Sequence, residues 1–256
     1  MSLLQLKGVS RSFGGLKAVQ GVDMTVEAGR ITGLVGPNGA GKTTLVNLAT
    51  GFLRLSSGRV LLDERDVTEL QPHEVVAAGI ARTFQQCRLL NEVSVAENIR
   101  LAFDHRSRTS LLSRLLHLRA TRREGEAVDA AIAALLGEFG IEDFKVDLPP
   151  EISYGHQRRV EIARALAMEP RVLVLDEPAA GLIDSEATEL SAVLRARADR
   201  GLALLLIEHN MSMVMSLCDD IYVLDSGEII AHGRPDEIRS NPRVLRAYLG
   251  DTVCSA

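Results

Sequence analysis

Cysteine, long apolar runs and excess basic charge are all scarce in this 256-residue sequence, and each shortage excludes a class of protein. The three cysteines, Cys87, Cys218 and Cys254, are odd in number, widely spaced and without a C-x-x-C pair, so neither a disulfide framework nor a zinc site is expected. The longest greasy stretches, 172–175 and 202–207, are strand-sized and far short of the ~18 residues needed to cross a bilayer. The first residues show no basic segment followed by an apolar one and a small-residue cleavage site; no secretory signal is visible, and the cytoplasm is the expected compartment. Net charge is −5, and the one arginine-rich stretch, 119–123, is diluted at once by Glu124 and Glu126, as on a solvated helix face. Nucleic acid is therefore not an expected partner. With 46% apolar and 25% charged residues, the chain has the balance of a folded globular protein.

Apolar and polar residues tend to alternate over 3–10 and 22–26, as in half-buried strands, and Glu27, Ala28 and Gly29 read as a turn. A short apolar strand, 31–35, runs straight into Gly36, Pro37, Asn38, Gly39, Ala40 and Gly41, after which 42–49 lacks helix breakers. From about Gln86 to Leu148 the pattern becomes helical, with apolar residues at helical spacing over 95–139; Pro149 and Pro150 end it. Strand patterns then return at 172–175, 204–207 and 221–224. The order strand, glycine loop, helix, helical insert, then more strands predicts an α/β core that opens with β structure and is interrupted by helices.

Residues 36–43 fit G-x-x-x-x-G-K-[ST]. In that pattern glycines allow backbone N–H groups to converge on phosphates, a lysine meets their charge, and the next helix points its positive end at the ligand. The reading assigns Lys42 to the terminal phosphates of ATP, the Thr43 hydroxyl to Mg2+, and Thr44 to a more proximal phosphate. A second element agrees: the apolar run 172–175 ends in Asp176 and Glu177, at the carboxyl edge where ligands of parallel sheets collect. Asp176 reads as the magnesium-shell acid and Glu177 as the group that polarises the attacking water.

Between these two lies Ile152, Ser153, Tyr154, Gly155, His156, Gln157. The run resembles the L-S-x-G-Q signature of ATP-binding-cassette proteins. Ser153 suits an N-cap and Gly155 allows close approach, so the following helix can present a hydroxyl and free N–H groups to a phosphate. The resemblance covers essentially the whole chain and implies a P-loop, RecA-like α/β core with an N-terminal antiparallel β subdomain, formed by 1–85 and 170–256, and an inserted helical subdomain, 86–169, that carries the signature. It implies that Phe13 stacks on adenine, that Gln85 links magnesium to the helical subdomain, and that His209 is a switch at the γ-phosphate. It also implies that two subunits sandwich two nucleotides, each signature facing the other's phosphate loop.

Within the family, the segments 82–85, 153–155, 157–159, 161–164 and 176–182, and a tail with Gly233, Pro235, Asn241, Pro242 and Gly250, look most like ATP-binding subunits of branched-chain amino-acid importers. That implies a peripheral subunit at the cytoplasmic face of the membrane, paired with a second cassette ATPase, a non-identical one in the subfamily's manner with a homodimer as the alternative, on two permeases served by a substrate-binding protein. A lipopolysaccharide-export ATPase and a soluble cassette ATPase are the alternatives. Two positions depart from the pattern: His156 replaces a glutamine, and Ile183 stands where a polar residue is usual.

Overall fold

The computed structural model describes residues 2–106 and 119–249; Cys254 and Gly250 lie outside the described residues. The chain divides into two compact units: Met1–Arg82, Arg171–Ala180 and Leu194–Ala256 form one, Thr83–Pro170 with Gly181–Val193 the other.

The first unit holds two sheets. In one, the long strands β1 (Ser2–Phe13) and β2 (Leu16–Glu27) pair antiparallel, and β4 (Ser57–Leu62) and the short β5 (Arg65–Asp66) extend it in the order β2-β1-β4-β5. The other places β3 (Ile31–Val35), β6 (Ile80–Arg82), β7 (Val172–Asp176), β8 (Ala203–Ile207), β9 (Asp220–Asp225) and β10 (Glu228–Gly233) in the order β10-β9-β3-β8-β7-β6. Its strands are parallel except β10, which closes one edge antiparallel to β9. Every residue of β3, β7 and β8 is buried, which explains their unbroken valine, leucine and isoleucine runs: both faces of a parallel sheet must be covered. The core joins both sheets through Leu4, Leu6, Val22, Met24, Leu34, Val174, Leu205 and Leu224.

Helix α1 (Lys42–Ala49) follows β3 directly, and α2 (Pro72–Ala78) starts on a capping box in which the Glu74 carboxylate accepts from the Gln71 N–H. Because β3, β8 and β7 are neighbours running the same way, the segments after Val35, Ile207 and Asp176 leave from one sheet edge. That topology gathers the chemistry-bearing residues of this unit.

The second unit contains α3 (Val95–Arg106), α4 (Arg119–Glu138) and α5 (Tyr154–Ala167), and receives the first turns of α6 (Asp184–Asp199). Buried polar groups fix its irregular parts. Asn98, fully buried, donates to the carbonyls of Leu90, Val93 and Ser94 and accepts from the Leu90 N–H, so one amide satisfies a whole turn. Buried Arg158 pairs with Glu161, and the two side chains hold the carbonyl and N–H of Phe84. Helices α7 (Met211–Leu217), α8 (Pro235–Arg239) and α9 (Pro242–Leu249) complete the first unit.

Candidate nucleotide site

The phosphate loop is built by steric necessity. A Cβ on Gly36 would lie 1.9 Å from the Leu224 carbonyl oxygen, and one on Gly41 2.5 Å from that of Ala18. Neither position admits another residue without moving backbone. Gly41, at φ +104°, is also the N-cap of α1 and supplies no side chain to cover the first N–H groups of the helix. The loop thus presents uncapped donors at a positive helix end. Pro37 is half-buried, Asn38 and Gly39 are exposed and Ala40 is buried, its carbonyl accepting from the Gly227 N–H at 2.9 Å. Thr43 is exposed and Thr44 half-buried at the first turn of α1.

Lys42 is buried and donates to the carbonyls of Gly36 at 2.7 Å and Pro37 at 3.0 Å. Burial lowers its pKa from the ordinary lysine value, while the nearby carboxylates of Glu177 and Asp176 oppose that shift. A cation held over the loop and two acids beside it therefore belong to one electrostatic cluster.

Glu177 follows the last residue of β7 in the left-handed region, φ +51°, with its N–H bonded to the Ile207 carbonyl at 2.8 Å. A non-glycine residue held there costs conformational energy, and such strain concentrates at working sites. Its Oε1 lies 2.8 Å from His209 Nε2, so the structure brings these two sequence-predicted residues into direct contact. Asp176 is buried and paired with Arg82 at 2.9 Å. Phe13, at the end of β1, leaves 43% of its surface exposed, with the Arg11 guanidinium 4.8 Å from its ring centroid.

In the second unit, Gln85 lies exposed in a bend just after Phe84. Ser153 is the N-cap of α5 and accepts from the His156 N–H at 3.2 Å. Gly155 is tight: an added Cβ would meet Glu186 Oε1 at 2.9 Å and Leu182 at 3.1 Å. The His156 imidazole packs on the Phe144 ring, 4.3 Å between centroids. Ile183 is 65% exposed.

Two residues that the sequence reading did not single out emerge from this geometry. One is Arg82. The other is Glu208, a buried carboxylate that accepts from the N–H groups of Ala179 at 2.8 Å, His209 at 3.1 Å and Asn210 at 3.3 Å. It ties the loop after Glu177 to the segment that carries His209. An acid ending an apolar strand, next to a histidine, was the available signal.

Residues 19–180 match the ABC transporter family, and residues 228–253 match the C-terminal segment described as branched-chain amino acid ATP-binding cassette transporter. The chain belongs to the ABC transporter family and is an ATPase of the cassette type. It is 41% identical to the high-affinity branched-chain amino acid transport ATP-binding protein BraF of Pseudomonas aeruginosa, over 97% of this chain and 98% of that one. It is 34% identical to the lipopolysaccharide export system ATP-binding protein LptB of Escherichia coli, over 98% of both chains. Among solved structures, the ADP conformation of MJ1267, an ATP-binding cassette of an ABC transporter, superposes with a TM-score of 0.84 at 34% identity, covering 98% of this chain and all of that one.

Proposed function

We propose that this chain is the ATPase subunit of an importer for branched-chain amino acids, working at the cytoplasmic face of the membrane. The observation that carries the reading is the contact between Glu177 and His209 at the edge that also bears the phosphate loop, combined with the subfamily tail at 228–253. ATP is the substrate. Its adenine stacks on Phe13, its phosphates are cradled by Gly36, Pro37, Asn38, Gly39, Ala40 and Gly41, and Lys42 exchanges its loop carbonyls for the terminal phosphates. Thr44 holds a proximal phosphate.

A magnesium site fits the residues present. In the first unit the proposed donors are the Thr43 hydroxyl and the Asp176 carboxylate, both hard oxygens, and the family resemblance adds the Gln85 amide oxygen. Among the described residues no group of three or more histidine, cysteine and acidic side chains could hold a metal by itself, so the ion would come with the nucleotide. When bound, it neutralises charge on the phosphates. Glu177 orients and polarises the attacking water, and His209, held by Glu177, faces the terminal phosphate from the neighbouring strand.

The signature residues Ser153 and Gly155 act on a nucleotide held by a second subunit. The subfamily resemblance points to a different cassette ATPase as that subunit, and exposed Ile183, apolar where a polar contact across the pair is usual, is compatible with an asymmetric pair. The described residues contain no helix long and apolar enough to cross a membrane; the subfamily resemblance supplies the path as two permeases, fed by a substrate-binding protein. The permeases' cytoplasmic loops would meet the helical part of the second unit, beginning just after Gln85, where Leu90 is exposed. Affinity capture of the tagged chain from its native membrane, followed by mass spectrometry, tests this. The expected catch is a second cassette ATPase and two permeases encoded with a periplasmic-type binding protein. Capture of this chain alone on lipopolysaccharide-export permeases would overturn the importer reading, and capture of no membrane protein would favour a soluble ATPase.

A further inference from the structure

Arg82 ends β6, where it pairs in register with Val174, two residues before Asp176 on the adjacent strand. Its side chain is 6% exposed and that of Asp176 8%, with Nη2 and Oδ2 2.9 Å apart. The other arm of the guanidinium, Nη1, donates to Asn47 Oδ1 at 2.6 Å and to Thr50 Oγ1 at 3.3 Å. Asn47 lies in the last turn of α1 and Thr50 is its C-cap, so the cation also sits at the negative end of that helix. The Phe52 ring lies beside it, 5.8 Å from the guanidinium to the ring centroid. One planar fork therefore joins β6, β7 and α1, the elements that carry Asp176 and, at the other end of α1, Lys42 and Thr43.

We propose that Arg82 is a positioning residue for the metal site, which holds the Asp176 carboxylate in its working orientation and suppresses divalent-metal binding until a triphosphate arrives. The inference rests on the reading of Asp176 as a metal ligand. The charge balance explains the coupling. Arg82 and Lys42 set two positive charges against the negative charges of Asp176 and Glu177, so the protein alone offers a dication little net attraction. A triphosphate brings the excess negative charge that recruits the ion, and Asp176 is already oriented to receive it. A lysine could supply the charge but not the fork that grips two elements at once.

The test measures Mn2+ binding by electron paramagnetic resonance, with and without ATP, together with thermal unfolding, in the wild type, Arg82→Met, Arg82→Lys and Asp176→Asn. For the wild type, Mn2+ alone should bind weakly and leave the melting temperature unchanged. Arg82→Met should melt lower, bind Mn2+ without nucleotide roughly tenfold or more tightly than the wild type, and regain its melting temperature when Mn2+ is added. Adding Asp176→Asn to Arg82→Met should abolish both the binding and the rescue. Arg82→Lys, which keeps the charge, should keep nucleotide-free Mn2+ binding weak while losing affinity for Mn2+ in the presence of ATP. A folded Arg82→Met protein with wild-type Mn2+ affinity and no rescue would overturn the proposal. Should Arg82→Met fail to fold, Arg82→Lys decides: wild-type affinity for Mn2+ with ATP overturns it. If instead Asp176→Asn alone keeps wild-type Mn2+ affinity in ATP, the metal-ligand reading itself falls, and the variant that shows the failure tells the two apart.

Discussion

Replacing Glu177 by glutamine isolates one property of the site. Glutamine has the same shape, pays the same cost for the left-handed backbone at φ +51°, and can still accept from His209 Nε2 where Glu177 Oε1 now sits 2.8 Å away. What disappears is basicity. A positioned general base contributes ~100-fold to ~10,000-fold, so kcat should fall by at least about a hundredfold, or ~2.7 kcal/mol in the activation barrier. Binding should move the other way: the carboxylate is one of two negative charges beside Lys42, and its loss leaves the loop more attractive to phosphate. ATP affinity should stay at or above the wild-type value. The assay is phosphate release from the assembled complex at saturating ATP, paired with calorimetric ATP titration. Turnover within about threefold of the wild type would remove Glu177 from the chemistry. Lys42→Ala is the contrasting variant, since losing the cation should abolish binding.

Gly36→Ala places a Cβ 1.9 Å from the Leu224 carbonyl, a backbone atom that cannot swing aside, so ATP binding should be lost or the melting temperature lowered; wild-type values for both would refute the steric argument. Glu208→Gln keeps the size but weakens three charge-assisted hydrogen bonds, and should lower both stability and turnover while leaving ATP affinity within a few fold; denaturant titration with steady-state kinetics checks it. Burial pushes the thiols of Cys87 and Cys218 up to about 12, so both remain protonated near neutrality, and iodoacetamide at pH 8 should label neither in the folded protein. Since these folded-state values lie above the ordinary thiol value, the stability linked to them is full below about pH 8.5 and is lost as pH climbs toward 12. Fast labelling of either peptide by mass spectrometry would contradict the burial.

Backbone constraint and chemistry were the legible parts of this sequence. The fully buried strands β3, β7 and β8 could be read because a parallel sheet tolerates only apolar runs. The predicted helix 42–49 coincides with α1, since a glycine loop ends and good helix formers begin there. The α/β fold with its antiparallel sheet and helical insert follows the same logic and agrees with the solved cassettes. Strand β4 was not legible: Ser57–Leu62 is polar at one end, and the turn after it carries Asp63 and Glu64 at positive φ, an arrangement stabilised by pairing with β1 rather than by local preference. Arg82 and Glu208 escaped for a related reason. A charged residue in a sequence says nothing of whether it is buried until its partner, 94 positions away for Arg82 and 29 for Glu208, is brought beside it by the sheet.

The segment matched to the subfamily, 228–253, starts at one edge of the larger sheet, beside the strand that packs on the phosphate loop. It begins with β10, which pairs with β9, and β9 supplies the Leu224 carbonyl against which Gly36 is packed. The tight turn between these strands adds two backbone bonds: the Gly227 N–H donates to the Ala40 carbonyl at 2.9 Å, and the Gly227 carbonyl accepts from Gln20 at 2.8 Å. His232 of β10 stacks on Tyr222 of β9, 3.9 Å between centroids, and its ring nitrogen engages Asp220. The tail is thus stitched to the strand that shapes the loop. The same segment also reaches the loop through Tyr248, whose hydroxyl meets the Gly36 backbone, so a displacement of the tail would bear on the phosphate loop both directly and through β9.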